Sequence, residues 1–219
     1  ETQETESTAA FFQYERDVTD KLAVTVGARW TEEEKHFIAG QAYLSSVAAQ
    51  RNRQFIGYAD LTNKWDETSL KVGATYQIDE DRMVYFSVSE GFHSGGFFGV
   101  NQNIRDFERD QYDPEYATST EIGFKSSLLD NRLRFNMAAF RNEFEDKQES
   151  FVKIDPDTKT VASVFDNAAE VLYEGIELEI LYAATRDLRL FFNGGWLDAN
   201  YEEFTTDITP TDGVVNVVD

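Results

Sequence analysis

The chain has 219 residues, and its 20 Lys+Arg against 41 Asp+Glu give a net charge of −21. So acidic a surface excludes the usual recognition of nucleic acid or of anionic lipid headgroups, both of which need basic patches. With no cysteine, the chain has neither disulfides nor thiolate metal sites. No run of about 18 apolar residues predicts a transmembrane helix, and no signal peptide is evident at the start.

Alternating apolar and polar residues predict β-strands along most of the chain. Six strands are clear, and weaker runs at 8–16 and 82–91 bring the total to about eight. The apolar positions, in chain order, are Leu22, Val24, Val26, Ala28 and Trp30; Leu70, Val72, Ala74, Tyr76 and Ile78; Ile122 and Phe124; Leu133, Phe135, Met137 and Ala139; Ile176, Leu178, Ile180 and Tyr182; Leu188, Leu190, Phe192 and Trp196. We therefore expect an all-β fold, an antiparallel up-and-down meander.

The connections between these strands alternate in length. Short polar turns are predicted at 17–20, 79–82, 129–132 and 185–187, and long acidic outer loops near 36–64, 93–116, 145–170 and 202–219. Strands of about 10–14 residues, with short turns on one rim and long loops on the other, are typical of a transmembrane β-barrel. Residues 1–219 are then a single β-barrel segment. A soluble β-sandwich with one wet face would share the alternation and remains an alternative.

The stretch "YFSVSEGFHSGGFFGV" at 85–100 begins as a strand and ends in a glycine-rich run. Gly91, Gly95, Gly96 and Gly99 fit neither G-x-x-x-x-G-K-[ST] nor G-x-G-x-x-G, and no helix pattern follows them. The run is instead interpreted as a strand with Val84, Phe86 and Val88 on one face, leaving through the outer interface into a long loop.

The candidates for catalysis or metal binding are two histidines, a neighbouring serine and one acidic run. His36 and His93 are predicted near strand exits into loops, and Ser94 beside His93 has no positioned acid with which to form a triad. The acidic run 106–115 could bind calcium through Asp106, Glu108, Asp110, Asp113 and Glu115, but its spacing is not that of an EF-hand. A solvated loop is the preferred interpretation. The sequence thus predicts no enzyme, no cofactor, and no catalytic, cofactor-binding or metal-binding residue.

Aromatic residues collect near the predicted strand ends. In a barrel they would form girdles at the two membrane interfaces, whereas in a sandwich they would belong to the core or rim. The residues concerned are Trp30, Trp65, Tyr85, Phe86, Phe92, Phe140, Phe144, Trp196, Tyr201 and Phe204.

Several segments together resemble one family, the TonB-dependent outer-membrane receptors. "MVYFSVSEGFHSGGFFG" (83–99) is similar to its strand-to-loop segment, and "YDPEYATSTEIGFKSSLLDNRLRFNMAAFRNEFEDKQ" (112–148) to the hairpin that follows. "YEGIELEILYAATRDLRLFFNGGWLDANYEEF" (173–204) resembles the next strand pair, and "LAVTVGARWTEEEKHF" (22–37) an earlier Gly-x-Arg strand. These segments follow the family's order.

The resemblance implies a receptor in the outer membrane of a Gram-negative bacterium. It would take up a scarce nutrient, such as a ferric siderophore, cobalamin or a sugar, with energy from TonB. The implied partners are outer-membrane lipid, a small-molecule ligand at the outer loops, and the TonB system through parts of a parent chain; no nucleic acid is expected. No plug domain is recognised, and the length is short for a barrel of roughly 22 strands. An internal barrel segment is expected.

No ligand-binding residue follows from the resemblance, because the family's ligand contacts vary. The acidic loops at 93–116 and 145–170 are the expected place for them, and Arg105, Arg109 and Arg141 could still contact an anionic ligand. A complete small eight-stranded outer-membrane barrel with a structural or adhesion role, and a soluble β-sandwich binding module, are kept as alternatives.

Overall fold

The computed structural model describes residues 2–43, 54–98, 111–154, 161–206 and 215–216, and the regular structure within these ranges is entirely β. No helix in these ranges is long and apolar enough to cross a membrane. The strands are β1 (Thr2–Asp17), β2 (Leu22–Tyr43), β3 (Gln54–Asp79), β4 (Arg82–His93), β5 (Gly96–Phe97), β6 (Gln111–Tyr112), β7 (Glu115–Leu128), β8 (Leu133–Ile154), β9 (Val161–Ala183), β10 (Arg189–Thr206) and β11 (Val215–Asn216).

The long strands form one antiparallel meander in the order β1-β2-β3-β4-β7-β8-β9-β10-β11, with β5 and β6 as a separate pair. This confirms the predicted all-β meander of about eight long strands. The sheet is a single layer, so the β-sandwich alternative is wrong. Its two edges are β1 and β11, so the strands described form an open sheet and not the closed small barrel that was the other alternative.

The register gathers the apolar residues of neighbouring strands on one face. Val26 pairs with Tyr14 and with Val72, and Phe86 pairs with Ala74 and with Ile122. Val72 is 54% exposed and Trp196 60% exposed, as residues that face lipid would be. The opposite face is polar, as a water-filled lumen requires. We call these the outward and luminal faces.

The apolar stripe is shorter than the strands that carry it. On β2 it covers the nine positions from 22 to 30, about 30 Å of strand. Tilted by about 40°, that length matches an apolar band roughly 25 Å tall. β2 and β3 continue well past this band, for 22 and 26 residues in all, so their outer parts stand above the membrane.

The strands are longer than the sequence indicated, and the outer loops correspondingly shorter. β2 runs to Tyr43 and β3 begins at Gln54, inside the loop predicted near 36–64; β8 runs to Ile154 and β9 begins at Val161, inside 145–170. β10 likewise runs to Thr206, past the predicted loop start at 202. Beyond the lipid the outward face turns polar, so alternation disappears, but the backbone ladder continues because it needs no apolar face.

The short turns lie where they were predicted. In the turn between β7 and β8, Leu129, Asp130 and Asn131 all have positive φ, between 56° and 62°. Asp and Asn adopt this left-handed conformation more readily than most residues. This short rim is therefore fixed by local turn chemistry.

A charge placed on the outward face should be costly. Val72→Arg would put a guanidinium into lipid near the middle of the band, and we expect it to reduce the free energy of unfolding in a bilayer by about 2–4 kcal/mol. Thr75→Arg, three residues along β3 on the luminal face, is the matched control and should cost much less. Urea titration of protein folded into liposomes measures both. Equal losses would contradict the assignment of the two faces.

Candidate functional site

The wall of the sheet splits where β4 separates from β3. Their ladder covers Lys71 paired with Ser89 but goes no farther towards the outer rim, while β4 continues on β7 up to His93 paired with Glu115. The amide of Leu70 donates instead to the Glu90 carboxylate, 3.0 Å away. A side chain thus replaces the lost backbone acceptor, as an unpaired strand amide requires. The split frees the end of β4 to turn inward.

Residues 92–98 and 111–114 form what we call the luminal shelf. Phe92 and His93 are the end of β4, and residues 94–98 and 111–114 fold across the luminal face. Within it, Gly96 pairs with Tyr112 and Phe97 with Gln111. Ser94 is 2% exposed and its hydroxyl donates to the Glu33 carboxylate of β2. Lys35, also on β2 and 6% exposed, donates from Nζ to the carbonyl oxygen of Gly95 at 2.6 Å. The predicted exit into an outward loop is therefore wrong over these residues.

An apolar cluster seats the shelf on β2 and β3. The ring of Phe97 stacks on Phe37 at 5.7 Å and meets Trp65 edge-on at 6.0 Å, and all three are buried. Ala39 and Ala59 complete the cluster. Trp65 lies here, inside the lumen, and not in the interfacial girdle where its position near a strand end suggested it would be.

The opposite side of the shelf is held by two amide side chains. Gln148 of β8 donates from Nε2 to the carbonyl oxygens of Ser94 at 3.2 Å and Asp113 at 2.9 Å. Asn167 of β9 donates from Nδ2 to the Asp113 carbonyl oxygen at 2.9 Å, and its Oδ1 accepts from the backbone N–H of Asp113 at 2.7 Å. The shelf is therefore tied to β2 and β3 on one side and to β8 and β9 on the other.

Two bulges place these amides side by side. Between Phe144 paired with Val171 and Gln148 paired with Asn167, β8 gains one residue and β9 then gains one. Bulges of this kind bend strands and redirect side chains. Because the two insertions compensate, Gln148 and Asn167 return to the luminal face as a directly opposed pair.

The glycine run is required by close packing. A Cβ on Gly95 would lie 2.3 Å from the Tyr112 carbonyl oxygen and 2.6 Å from Trp65 Nε1, and one on Gly96 would lie 2.3 Å from the Tyr112 hydroxyl. A Cβ on Gly91 would meet nothing within 4 Å. Gly99 is outside the described residues. Gly95 and Gly96 therefore allow the backbone to approach its neighbours closely, whereas Gly91 is under no such constraint.

Below the shelf, aromatic rings pack over glycines on the luminal face. Tyr85 covers Gly123, where a Cβ would lie 2.3 Å from the ring, and its hydroxyl donates to Glu121 at 2.5 Å. Phe140 covers Gly175 in the same way. These rings point into the lumen, so their predicted place in a girdle is wrong, while Trp30, Phe86 and Trp196 face outward as predicted.

The other sequence candidates have structural partners. His36 lies within β2, not at a strand exit, and bonds Asp60 on β3 at 2.7 Å. Nδ1 of His93 meets Oε1 of Gln148 at 3.0 Å. The Glu115 carboxylate accepts from the backbone N–H of Gln148 at 2.9 Å. Neither histidine has a nucleophile to activate among these contacts.

Of the possible calcium and anion ligands, Asp113, Glu115 and Arg141 lie within the described residues. Asp106, Glu108, Asp110, Arg105 and Arg109 lie outside the described residues, and the residues that are described contain no metal-ligand cluster. Arg141 faces outward and pairs with Glu143 at 2.7 Å and Glu174 at 3.5 Å. It is thus removed from any luminal ligand.

Burial and hydrogen bonding shift the pKa of two side chains above the membrane band, Lys35 and Tyr116. Desolvation lowers the pKa of Lys35, against an opposing effect of the nearby Glu33 carboxylate. Tyr116 donates its hydroxyl to Glu67 at 2.7 Å, and this bond, followed by burial, raises its pKa to about 12. Both groups lie above the apolar stripe, which ends on β2 at Trp30.

The residues that hold the shelf were missed by sequence reasoning. No motif gave a role to Lys35, Glu33 or Asn167, and Gln148 was noted only as the last residue of the hairpin that resembles the family's. Only the sheet brings the four together. The one available signal was the pair Gly95–Gly96 between bulky residues, which indicated a close backbone approach without naming its partner.

Removing the Gln148 amide should loosen the shelf. Gln148→Ala removes the Gln148 donor from the Ser94 carbonyl and leaves the Asp113 carbonyl with Asn167 alone, and we expect a loss of about 1–3 kcal/mol in the free energy of unfolding. Gln13→Ala, at an exposed position of β1, is the matched control and should change it little. Urea unfolding of protein in liposomes gives both values, and equal values would contradict the role of Gln148.

The Tyr116–Glu67 bond should be visible in an alkaline titration. The raised pKa means that the bond stabilises the fold fully below the ordinary pKa of 10.0, and that this contribution is lost as the pH rises towards about 12. Phenolate absorbance of the wild type minus that of Tyr116→Phe isolates this titration. Glu67→Gln, which removes the charge, should move it to lower pH, and an unmoved titration would contradict the assignment.

Comparison with known proteins identifies the fold. The family model described as "TonB dependent receptor-like, beta-barrel" matches residues 1–217. The probable TonB-dependent siderophore receptor PiuA of Acinetobacter baumannii is 29% identical over 180 residues, which are 79% of this chain and 21% of that protein. The catecholate siderophore receptor Fiu of Escherichia coli K12 is 34% identical over 83 residues, 36% of this chain and 11% of that protein. This chain thus spans about a fifth or less of these relatives.

Solved structures give the same result. The ferric yersiniabactin uptake receptor FyuA of Yersinia pestis superposes with a TM-score of 0.71 at 17% identity, over 91% of this chain and 27% of its own. The siderophore receptor PiuA of A. baumannii superposes with a TM-score of 0.65 at 25% identity, over 98% of this chain and 28% of its own. An outer-membrane location in a Gram-negative bacterium follows from the family, as predicted. The chain belongs to the TonB-dependent receptor family and is part of its transmembrane β-barrel.

Proposed function

We propose that this chain forms part of the wall and lumen of a receptor that takes up a ferric siderophore across the outer membrane, with energy delivered by TonB. Residues 1–219 act as a single β-barrel segment. In this role they bind and guide a ligand and catalyse no reaction. Outer-membrane lipid contacts the outward face, and the TonB system acts through other parts of the receptor.

The observation that carries this proposal is the sequence similarity to PiuA over 79% of the chain, since that relative is described as a probable TonB-dependent siderophore receptor. The fold alone does not identify the transported ligand. The copper transporter OprC superposes with a TM-score of 0.68 at 13% identity, so the same barrel serves a different substrate.

The geometry is compatible with passage of a polar solute. The luminal face carries carboxylates, amides and tyrosine hydroxyls, and the shelf narrows it above the membrane band. A cavity of about 520 Å³ beside the shelf is lined in part by Arg29 and Lys71, together with Glu33 and Glu90. The two cations offset the two carboxylates, so this part of the lumen opposes an anionic chelate less than the rest of a strongly acidic chain does. Cobalamin or a sugar is the second candidate for the cargo.

Uptake by cells tests the proposal. The gene that encodes the receptor is deleted in an iron-limited strain and restored from a plasmid, and entry of radioactive iron as ferric tris-catecholate is measured. We expect uptake only in the restored strain, and its loss with a protonophore or on deletion of tonB while surface binding persists. A second arm with radioactive cobalamin reports the alternative cargo.

Each result has a definite consequence. Uptake of cobalamin without iron would overturn the siderophore assignment and leave the receptor class intact. Iron uptake that persists with the protonophore and without TonB would overturn energy coupling. A strain without the receptor that takes up both substrates as well as the restored strain would overturn the proposal as a whole.

A further inference from the structure

We propose that the luminal shelf is a fixed inner wall of the ligand path, held by Lys35 and Gln148, and not a part that moves aside when ligand passes. The inference rests on the proposed function for the identity of the ligand, but the seating of the shelf is independent of it. It concerns described residues alone, 92–98 and 111–114.

The first argument is the position of Lys35. Its ammonium group is buried inside the barrel, where an unpaired charge is strongly unfavourable, and the Gly95 carbonyl accepts from it at 2.6 Å. The same ammonium lies 5.6 Å from the centre of the Trp65 ring. Lifting the shelf would break this charge-assisted hydrogen bond, so the closed arrangement keeps a strong contact that a lifted shelf would lose.

The second argument is the number of separate walls that hold the shelf. Ser94 and Phe97 are attached to β2 and β3, and Asp113 is attached to β8 and β9 through Gln148 and Asn167. Tyr112 and Phe98 also contact Phe165 of β9, at 4.7 and 6.0 Å between ring centres. A hinge needs one free side, and this shelf is attached on both.

The third argument is steric. Gly95 allows the shelf backbone to lie against Trp65 of β3 with no space for a methyl group, and Gly96 packs in the same way on Tyr112 within the shelf. Close-packed contacts of this kind favour one arrangement strongly, because a small displacement forfeits much of the dispersion attraction. The ligand must then pass beside the shelf, whose position sets one side of the opening.

A thiol placed in the shelf tests this in intact cells that express the complete receptor. The chain has no cysteine, so Ser94→Cys introduces its single thiol at a buried position, any cysteine elsewhere in the receptor being replaced first. Labelling by a membrane-impermeant maleimide is timed in resting cells, with excess ferric tris-catecholate, and in energised cells during uptake. A fixed shelf predicts slow labelling that is the same in all three states.

Variants in the Ser94→Cys background identify what holds the shelf. Lys35→Met and Gly95→Ala should each accelerate labelling about tenfold or more, by removing the charged hydrogen bond or the close fit. The matched controls are Lys64→Met, an exposed residue on the outward face of β3 that pairs with Glu32, and Gly91→Ala, where there is space for a Cβ. Both should label at the parental rate. A heat-induced gel shift shows that each variant is folded, and Gln148→Ala replaces any variant that is not.

Rapid labelling of Ser94→Cys in resting cells, or faster labelling during uptake than at rest, would overturn the fixed wall. Labelling of Lys35→Met or its replacement at the parental rate would overturn the assigned anchors. The resting measurements need no ligand. If iron uptake fails while labelling remains slow and sensitive to these variants, the siderophore assignment is wrong and the shelf inference stands.

Discussion

Backbone hydrogen bonding in lipid is the constraint on which the rest of this structure depends. Inside a membrane an unpaired amide costs several kcal/mol, so the strands must pair continuously across the apolar band. Continuous pairing fixes the register, and with a side-chain period of two the register decides which face every residue occupies. Val72 faces lipid and Gly73 the lumen for this reason alone.

The luminal shelf begins where that constraint ends, near the outer edge of the apolar band. β4 separates from β3 just beyond Ser89, level with Gly27 and Ala28 of β2, since Glu90 supplies the acceptor that Leu70 loses. The freed chain turns inward, where a polar lumen offers donors such as Lys35 and Gln148 for its carbonyl groups. Lys35 is buried at this point of a strongly acidic chain, and its ammonium group holds the shelf by donating to the Gly95 carbonyl.

The sequence was informative wherever one local pattern determined the structure. Alternation from Leu22 to Trp30 located a membrane strand, and "LDNR" located a tight turn, because each depends on neighbours a few residues apart. Strand ends above the membrane were missed since both faces there are polar. The aromatic residues were only partly assigned: Trp30 and Tyr85 both lie near strand ends, yet one faces lipid and the other covers Gly123 in the lumen.

By itself the sequence determined the all-β meander, the two faces of its strands, the short rim and the family, because these depend on period, turn chemistry and the order of motifs. Only the tertiary structure decided where 92–98 goes. Ser94 meets Glu33, and Gly95 meets Lys35, across about 60 positions of chain. No local pattern records such a contact, since it arises from the pairing of strands that brings β2, β8 and the end of β4 around one lumen.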